Sequence, residues 1–301
     1  MKFGKVESIE GIDFSLPPEP EKNKEVLERL PQSEAKMYFG CTSWGMKEWK
    51  GRYYPEKTPV KNFLLEYGKQ FNSIELNTTH YGTPKEETLA KWYDETPDDF
   101  LFCPKIHKAI SHRKLLGTDS DIIENTIATL SLLKEKLGPC FMQLPPYFDY
   151  DRKDILETFL QAFPDYCDLG IELRHESWFD DSDKTEELQE LCIKYGKTLL
   201  ITDVSGRRDV LHMRLCGDYL MIRFVGNGLH PTDYTRVDEW IDRIHYYTQN
   251  GVKNIFFFPH EPDNLLAPDL ANYICKKIKE KTAIMTRGPK KIDSGQQLNL
   301  F

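Results

Sequence analysis

The sequence predicts an α/β fold: a TIM-type (β/α)8 barrel over residues 35–283, with one shortened βα unit, an N-terminal extension over 1–34 and a flexible C-terminal tail over 284–301. Three observations carry that expectation. Short apolar runs alternate with longer amphipathic stretches, the order that builds a parallel sheet. Most of these runs are continuously apolar rather than alternating, as strands buried on both faces are. The 301 residues also leave room for the roughly 250 that such a barrel needs.

The elements follow in chain order. Leu16-Pro17-Pro18-Glu19-Pro20 cannot be regular structure. Residues 1–34 therefore read as an extension packed on the barrel exterior, with a short helix around Lys24–Leu30. Strands are expected at Met37–Cys41, Ser73–Asn77, Phe100–Lys105, Cys140–Leu144, Leu169–Arg174, Thr198–Asp203, Tyr219–Phe224 and Asn254–Pro259. Thr58-Pro59 opens a helix with proline at the first helical position. Thr83-Pro84-Lys85-Glu86 reads as a capping box. Asn125–Leu137 ends at Gly138, and Asp154–Phe163, Glu186–Tyr195, Asp238–Gln249 and Asp269–Lys279 follow. Between Asp203 and Asp218 there is little room for a crossover helix, which makes this the shortened unit. The competing fold, an open doubly wound sheet, would place a glycine-rich turn after the first strand, and none is present. Thr286-Arg287-Gly288-Pro289-Lys290-Lys291, then Asp293-Ser294-Gly295, reads as a linker.

Hydrophobic residues at 40% and aromatics at 12% allow a sizeable core. A formal net charge of −8 argues against general coating of nucleic acid and leaves open a local basic groove. The seven cysteines form no C-x-x-C pair and read as reduced core residues. The chain opens with charges at Lys2, Lys5 and Glu7 rather than an apolar stretch, so no signal peptide is expected. No run is long enough to span a membrane, and a cytoplasmic protein is expected.

A barrel carries chemistry at the C-terminal ends of its strands. The polar and aromatic residues expected there are Thr42 and Trp44, Glu75, Asn77 and Tyr81, Lys105, Gln143, Glu172, Arg174, His175 and Trp178, Asp203, Arg223 and His260. The tripeptide Ile-Glu-Leu occurs twice, at 74–76 and 171–173. If its flanking aliphatics face outward, Glu75 with Asn77 and Glu172 with Arg174 face inward. Lys105, Arg174 and Arg223 would then pair with the carboxylates and suit an anionic substrate. Glu75, Glu172, Lys105 and His175 are the candidate catalytic groups, the others candidate substrate contacts. A buried ion-pair network holding the interior is the structural alternative. Glu75, Glu172, Asp203 and His260 are metal-ligand types, but no metal-binding spacing is present and no metal is assigned. No cofactor is identified. Trp44, Tyr81 and Trp178 could stack on a sugar or base, or close the barrel mouth by packing.

These residues resemble the YecE-like family, Domain of Unknown Function 72. The resemblance rests on Gly40-Cys41-Thr42-Ser43-Trp44, Tyr53-Tyr54-Pro55 and the run from Phe71 to Tyr81. It continues through Thr96-Pro97-Asp98-Asp99-Phe100, Pro104-Lys105, Ile110-Ser111-His112, Gln143-Leu144-Pro145-Pro146 and Glu172-Leu173-Arg174-His175. It implies an eight-stranded barrel and supplies no reaction. The chain departs from it in ending strand eight with Phe258-Pro259-His260 and in its short stretch after Asp203.

The last residues, Gln297-Leu298-Asn299-Leu300-Phe301, resemble the pentapeptide that binds the bacterial sliding clamp. Leu298, Leu300 and Phe301 would enter an apolar pocket while Gln297 bonds at its rim. The alternative is that this peptide packs on the barrel's own surface. Three functions are thus expected to compete. One is an enzyme on a phosphorylated or nucleic-acid-derived anion, recruited to DNA by the clamp. Another is a glycosidase-like hydrolase using Glu75 and Glu172. The third is a non-catalytic adaptor that binds the clamp.

Overall fold

The structure, a computed structural model, describes residues 4–292. The eight expected strands are present: β1 (Lys36–Phe39), β2 (Ser73–Leu76), β3 (Leu101–Pro104), β4 (Cys140–Gln143), β5 (Leu169–Glu172), β6 (Thr198–Asp203), β7 (Tyr219–Val225) and β8 (Asn254–His260). A short β9 (Met285–Thr286) joins them. All pairings are parallel, and β2–β8 are almost wholly buried, which is why their sequences are continuously apolar. Helices occupy the connections, among them Phe63–Gln70, Glu86–Asp94, Ile122–Leu130, Lys153–Ala162, Ser182–Lys194, Pro231–Gln249 and Ala267–Lys281.

The closed barrel expected from the sequence is not realised as a continuous ladder. Seven strands form one sheet in the order β4-β5-β6-β7-β8-β1-β9, and β2-β3 form a second. The fold is thus α/β with a mostly parallel sheet, open at two seams. At the β1/β2 seam the Asn72 side-chain amide takes the place of backbone pairing. Its Oδ1 accepts from Phe39 N–H at 2.8 Å and its Nδ2 donates to Met37 O at 3.0 Å. One backbone bond, Glu75 N–H to Cys41 O at 3.1 Å, lies beyond it. At the β3/β4 seam Gly138 N–H donates to Phe102 O and Ile106 N–H to Phe141 O, each at 2.8 Å. Strand length does not set the seams: β2 with β3 and β4 with β5 pair over all 4 residues, as β7 and β8 pair over all 7.

Other local expectations need correction. Thr83 does not cap a helix: the helix starts at Glu86, with Lys85 before it and no side-chain cap. A capping box forms instead at His230 and Asp233, so that helix begins at Pro231 rather than Asp238. Residues 284–292 lie along the fold rather than forming a free linker. β9 pairs with β1, Asn272 Nδ2 donates to Pro289 O, and Ile292 N–H donates to Arg52 O at 2.8 Å. The shortened unit is as expected, with a single helical turn, Arg208–Val210, between β6 and β7. The N-terminal segment covers this gap. Gly206 N–H bonds Gly4 O, Arg208 bonds the carbonyls of Phe14 and Ser15, and buried Asn23 bonds Met213 O and Leu215 N–H. All seven cysteines are buried free thiols. No helix of the described residues is long and apolar enough to cross a membrane.

Two glycines are required by close approach. A Cβ on Gly170 in β5 would stand 2.6 Å from Met221 Sδ in the interior. A Cβ on Gly40 would stand 2.6 Å from both Ile74 Cα and Ser73 O, backbone atoms that cannot rotate away. Gly40→Ala is expected to force the β1/β2 seam apart and cost at least about 2 kcal/mol. The check is the urea unfolding midpoint, which should drop for Gly40→Ala. An unchanged midpoint would show that the seam tolerates separation.

Candidate functional site

Alternation along each strand decides which side chains meet. One face of the sheet gathers an apolar cluster that includes Phe141, Leu200, Tyr219, Met221, Phe256 and Phe258. Two residues further along the same strands, on the same face, the chain places Gln143, Thr202, Arg223 and His260. Glu75 of β2 and Glu172 of β5 arrive at this level with them, so a polar layer lies over the apolar one.

Arg223 is its centre. Its Nε and Nη2 donate to the two carboxylate oxygens of Glu75, each at 3.0 Å, and its Nη1 donates to Glu172 Oε2 at 2.6 Å. Further donors reach both carboxylates. Asn77 Nδ2 donates to Glu75 Oε1 at 2.8 Å, and His260 Nε2 to Glu75 Oε2 at 2.7 Å. Gln143 Nε2 donates to Glu172 Oε2 at 2.7 Å, and Arg174 Nε to Glu172 Oε1 at 2.9 Å. Lys105 Nζ donates to Gln143 Oε1 at 2.9 Å, so its ammonium meets an amide rather than a carboxylate.

Burial and charge compete at each group. Burial acts to raise both glutamates, but the neighbouring cations outweigh it. Arg223 and His260 hold Glu75 well below the usual carboxylate range, and Arg174 with Arg223 holds Glu172 down at about 2. Burial, reinforced by the Arg223 charge, pushes Lys105 down to about 8. Burial also lowers His80 and His112, whose rings lie 5.6 Å apart, and the Lys105 charge adds to both shifts.

Exposure separates the centre from the rim. Glu75, Glu172 and Arg223 are at most 1% exposed, whereas Lys105 and Arg174 retain 8% and His260 6%. Asn77 and Gln143 are half-buried. Solvent therefore reaches the layer through its amides, Lys105 and Arg174, and not through its carboxylates. This geometry opposes the glycosidase expectation, because an acid–base pair needs one carboxyl protonated near neutral pH and both open to substrate. Here both are ionised, enclosed and bonded to arginine.

Several expected residues lie elsewhere. Asp203 faces away from the layer because it follows Thr202 by one residue. It sits between the sheet and helix Pro231–Gln249, bonded to Arg208, to Arg236 Nη2 at 2.6 Å and to Trp240 Nε1 at 2.7 Å. His175 caps the turn Glu176–Trp178 through Nδ1, which accepts from Ser177 N–H. Trp178 is a core residue: its Nε1 donates to Phe148 O and its ring stacks on Phe148 at 6.2 Å. Trp44 packs edge-on against Trp92 and lines a surface depression of about 380 Å³ with Leu64 and Lys91, outside the polar layer. A second depression, of about 460 Å³ beside Asp121 and Thr126, also excludes it. Thr42 is half-buried past the end of β1, and Tyr81 stands 73% exposed at the rim. Gln297, Leu298, Leu300 and Phe301 lie outside the described residues. Among the described residues no group of three or more His, Cys, Asp or Glu is placed to hold a metal ion.

Sequence reasoning passed over Thr202, whose buried hydroxyl faces the layer without a partner among the described residues. Counting by twos from Leu200 would have found it. It also passed over Glu261, beside His260. That carboxylate turns into the loop after β7 to accept from Gly228 N–H at 2.8 Å, and burial holds it up at about 7.

Comparison with known proteins fits this architecture. The family model described as "Protein of unknown function DUF72" matches residues 38–293. The UPF0759 protein YecE of Escherichia coli strain K12 is 26% identical over 262 residues, covering 81% of this chain and 93% of that protein. The UPF0759 protein YunF of Bacillus subtilis strain 168 is 26% identical over 156 residues, covering 48% of this chain and 52% of that one. A crystal structure of a DUF72 family protein from Enterococcus faecalis V583 is similar in fold. Its TM-score is 0.66 at 18% identity, with 85% of this chain and 100% of that chain covered.

Arg223→Met would leave two carboxylates enclosed without their shared cation, and a loss of about 3–5 kcal/mol is expected. The parent protein should also weaken in acid. Both glutamates are depressed in the fold, so the stability they contribute is complete above their ordinary value of 4.5. It drains as pH falls through the folded values, near 2 for Glu172. Urea titrations across this range test both statements. An Arg223→Met protein as stable as the parent would refute the role given to the guanidinium.

Proposed function

Since this chain belongs to the DUF72 family, whose description assigns no reaction, we propose its function from the polar layer: an enzyme taking an anionic, phosphorylated or nucleic-acid-derived substrate at the rim over Lys105 and Arg174. The observation that carries this reading is the charge balance. Among the described residues two carboxylates, Glu75 and Glu172, face three cations, Arg223, Arg174 and Lys105, and Lys105 donates to an amide in place of a carboxylate. An anion arriving beside Lys105 adds a counter-charge there without displacing any bond to the glutamates. Asn77 and Gln143 orient it, and the fixed network beneath holds Lys105 and Arg174 in place against their mutual repulsion. Lys105, at about 8, carries its charge at neutral pH and can still give up a proton, so it is the group we assign to acid–base work. The few hydrogen bonds that bridge the two seams support a barrel-like mouth above this layer.

The peptide Gln297–Phe301 supports a second part of the reading, recruitment by a bacterial sliding clamp. The described chain ends at the surface, with Ile292 bonded to Arg52.

Inorganic pyrophosphate serves as a probe of the rim. Its affinity, measured by calorimetry, should fall about tenfold as pH rises from about 7 to about 9, because Lys105 loses its charge over that interval. Lys105→Arg should retain binding and remove the fall, and Lys105→Gln should abolish binding. Affinity independent of pH in the parent would exclude Lys105 as the anchor. Separately, deleting 297–301 should eliminate association with purified clamp by surface plasmon resonance and leave the melting temperature unaltered. Persistent association would end the recruitment reading.

A further inference from the structure

Taken together, the loops after β2, β3 and β4 above the polar layer carry a charge opposite to the chain's. Overall the protein has a formal net charge of −8, yet residues 101–118 contain Lys105, Lys108, Arg113 and Lys114 and no aspartate or glutamate. The neighbouring loop 77–85, after β2, and loop 143–148, after β4, also lack acidic residues. Parallel strands place all three loops on one edge. Lys108, Arg113 and Lys114 are exposed. Arg113 has an acidic neighbour, Asp119 at 3.6 Å, but both side chains are nearly half exposed and such a pair holds little.

Aromatic faces are presented among these charges. Tyr81 is 73% exposed, backed edge-on by His80 at 5.1 Å, with Lys108 Nζ 5.8 Å from its ring centre. Tyr147, after β4, is 56% exposed, with the Arg152 guanidinium 5.7 Å from its ring centre. Exposed tyrosine rings beside cations, on an edge where the carboxylates paired with those cations, Asp119 by Arg113 and Asp149 at 3.5 Å from Arg152, are themselves partly solvent-exposed, match what an unpaired nucleic-acid strand offers: a line of phosphates with bases free to stack. A duplex has its bases stacked inside and gains nothing from such rings. An acidic peptide supplies charge but no flat partner for them.

We propose that this edge is a docking surface for single-stranded nucleic acid. Lys108, Arg113 and Lys114 follow the phosphates, Tyr81 and Tyr147 stack on bases, and the strand is led to the anion site at Lys105. The inference rests on the reading of that rim as an anion site and specifies its substrate class.

The test is fluorescence anisotropy with a labelled oligo-dT of about 12 nucleotides. The parent should bind it more tightly than a duplex of equal length. A Lys108→Glu/Arg113→Glu/Lys114→Glu protein should bind at least about tenfold more weakly, with a salt dependence shallower by about 2 in logarithmic slope. Tyr81→Ala should lose about tenfold while leaving that slope in place. All four residues are exposed, and circular dichroism confirms that the variants fold. Equal affinity for duplex, no loss in the triple variant, or displacement by an equal concentration of polyglutamate would each overturn the proposal. The two readings fail separately. Pyrophosphate binding at Lys105 without oligonucleotide binding removes this surface alone. Oligonucleotide binding that depends on the triple site but not on Lys105 removes the anion anchor and keeps the surface.

Discussion

A guanidinium shared by two enclosed carboxylates governs this molecule. Arg223 sits at the level where the apolar interior gives way to polar groups, and it reaches strands β2 and β5 from β7. Those strands are not neighbours in the sheet order. With the ladder open at two seams, side-chain bonds across the interior do part of the joining that backbone bonds do elsewhere. Isolated buried ion pairs seldom stabilise, because desolvation offsets attraction. This one gives every carboxylate oxygen a donor and three of the four oxygens two, which is the condition under which burial is tolerated.

The same saturation fixes what the layer can do. Carboxylates held this way are spectators in proton transfer. Their effect is exerted on the cations, which they hold in place. Under the proposed reading acid–base work falls to Lys105, where burial and the Arg223 charge lower the proton affinity more than Glu172 and Glu75 raise it.

Much of this was legible in the sequence, and the failures are of one kind. All eight strands were placed within a residue or two, because continuous apolar runs between helical stretches are hard to read otherwise. Glu75, Glu172, Arg223 and His260 were found from their positions at strand ends. Asp203 was misplaced because a strand end was treated as a single location, when adjacent residues there point to opposite faces. His175 and Trp178 were drawn in by proximity in sequence, although the chain has already turned away after Arg174. The open seams had no sequence signal. Asn72, which interrupts one of them, reads as an ordinary polar residue before a strand. Nor does the local pattern show that Glu75 and Glu172 meet one arginine, since that contact spans 148 residues in one case and 51 in the other.

The N-terminal segment, where Phe14 lies under the guanidinium groups of Arg208 and Arg236, sets a boundary that family comparison does not. The shared family match begins at residue 38. The missing crossover helix between β6 and β7 is replaced in this chain by residues upstream of that point, which also meet Arg243 and Tyr247 through Glu19. The inherited domain and the folding unit are therefore not the same stretch of polypeptide. A version trimmed to the family limits would lose a wall, and the buried Asp203 cluster behind it would face water.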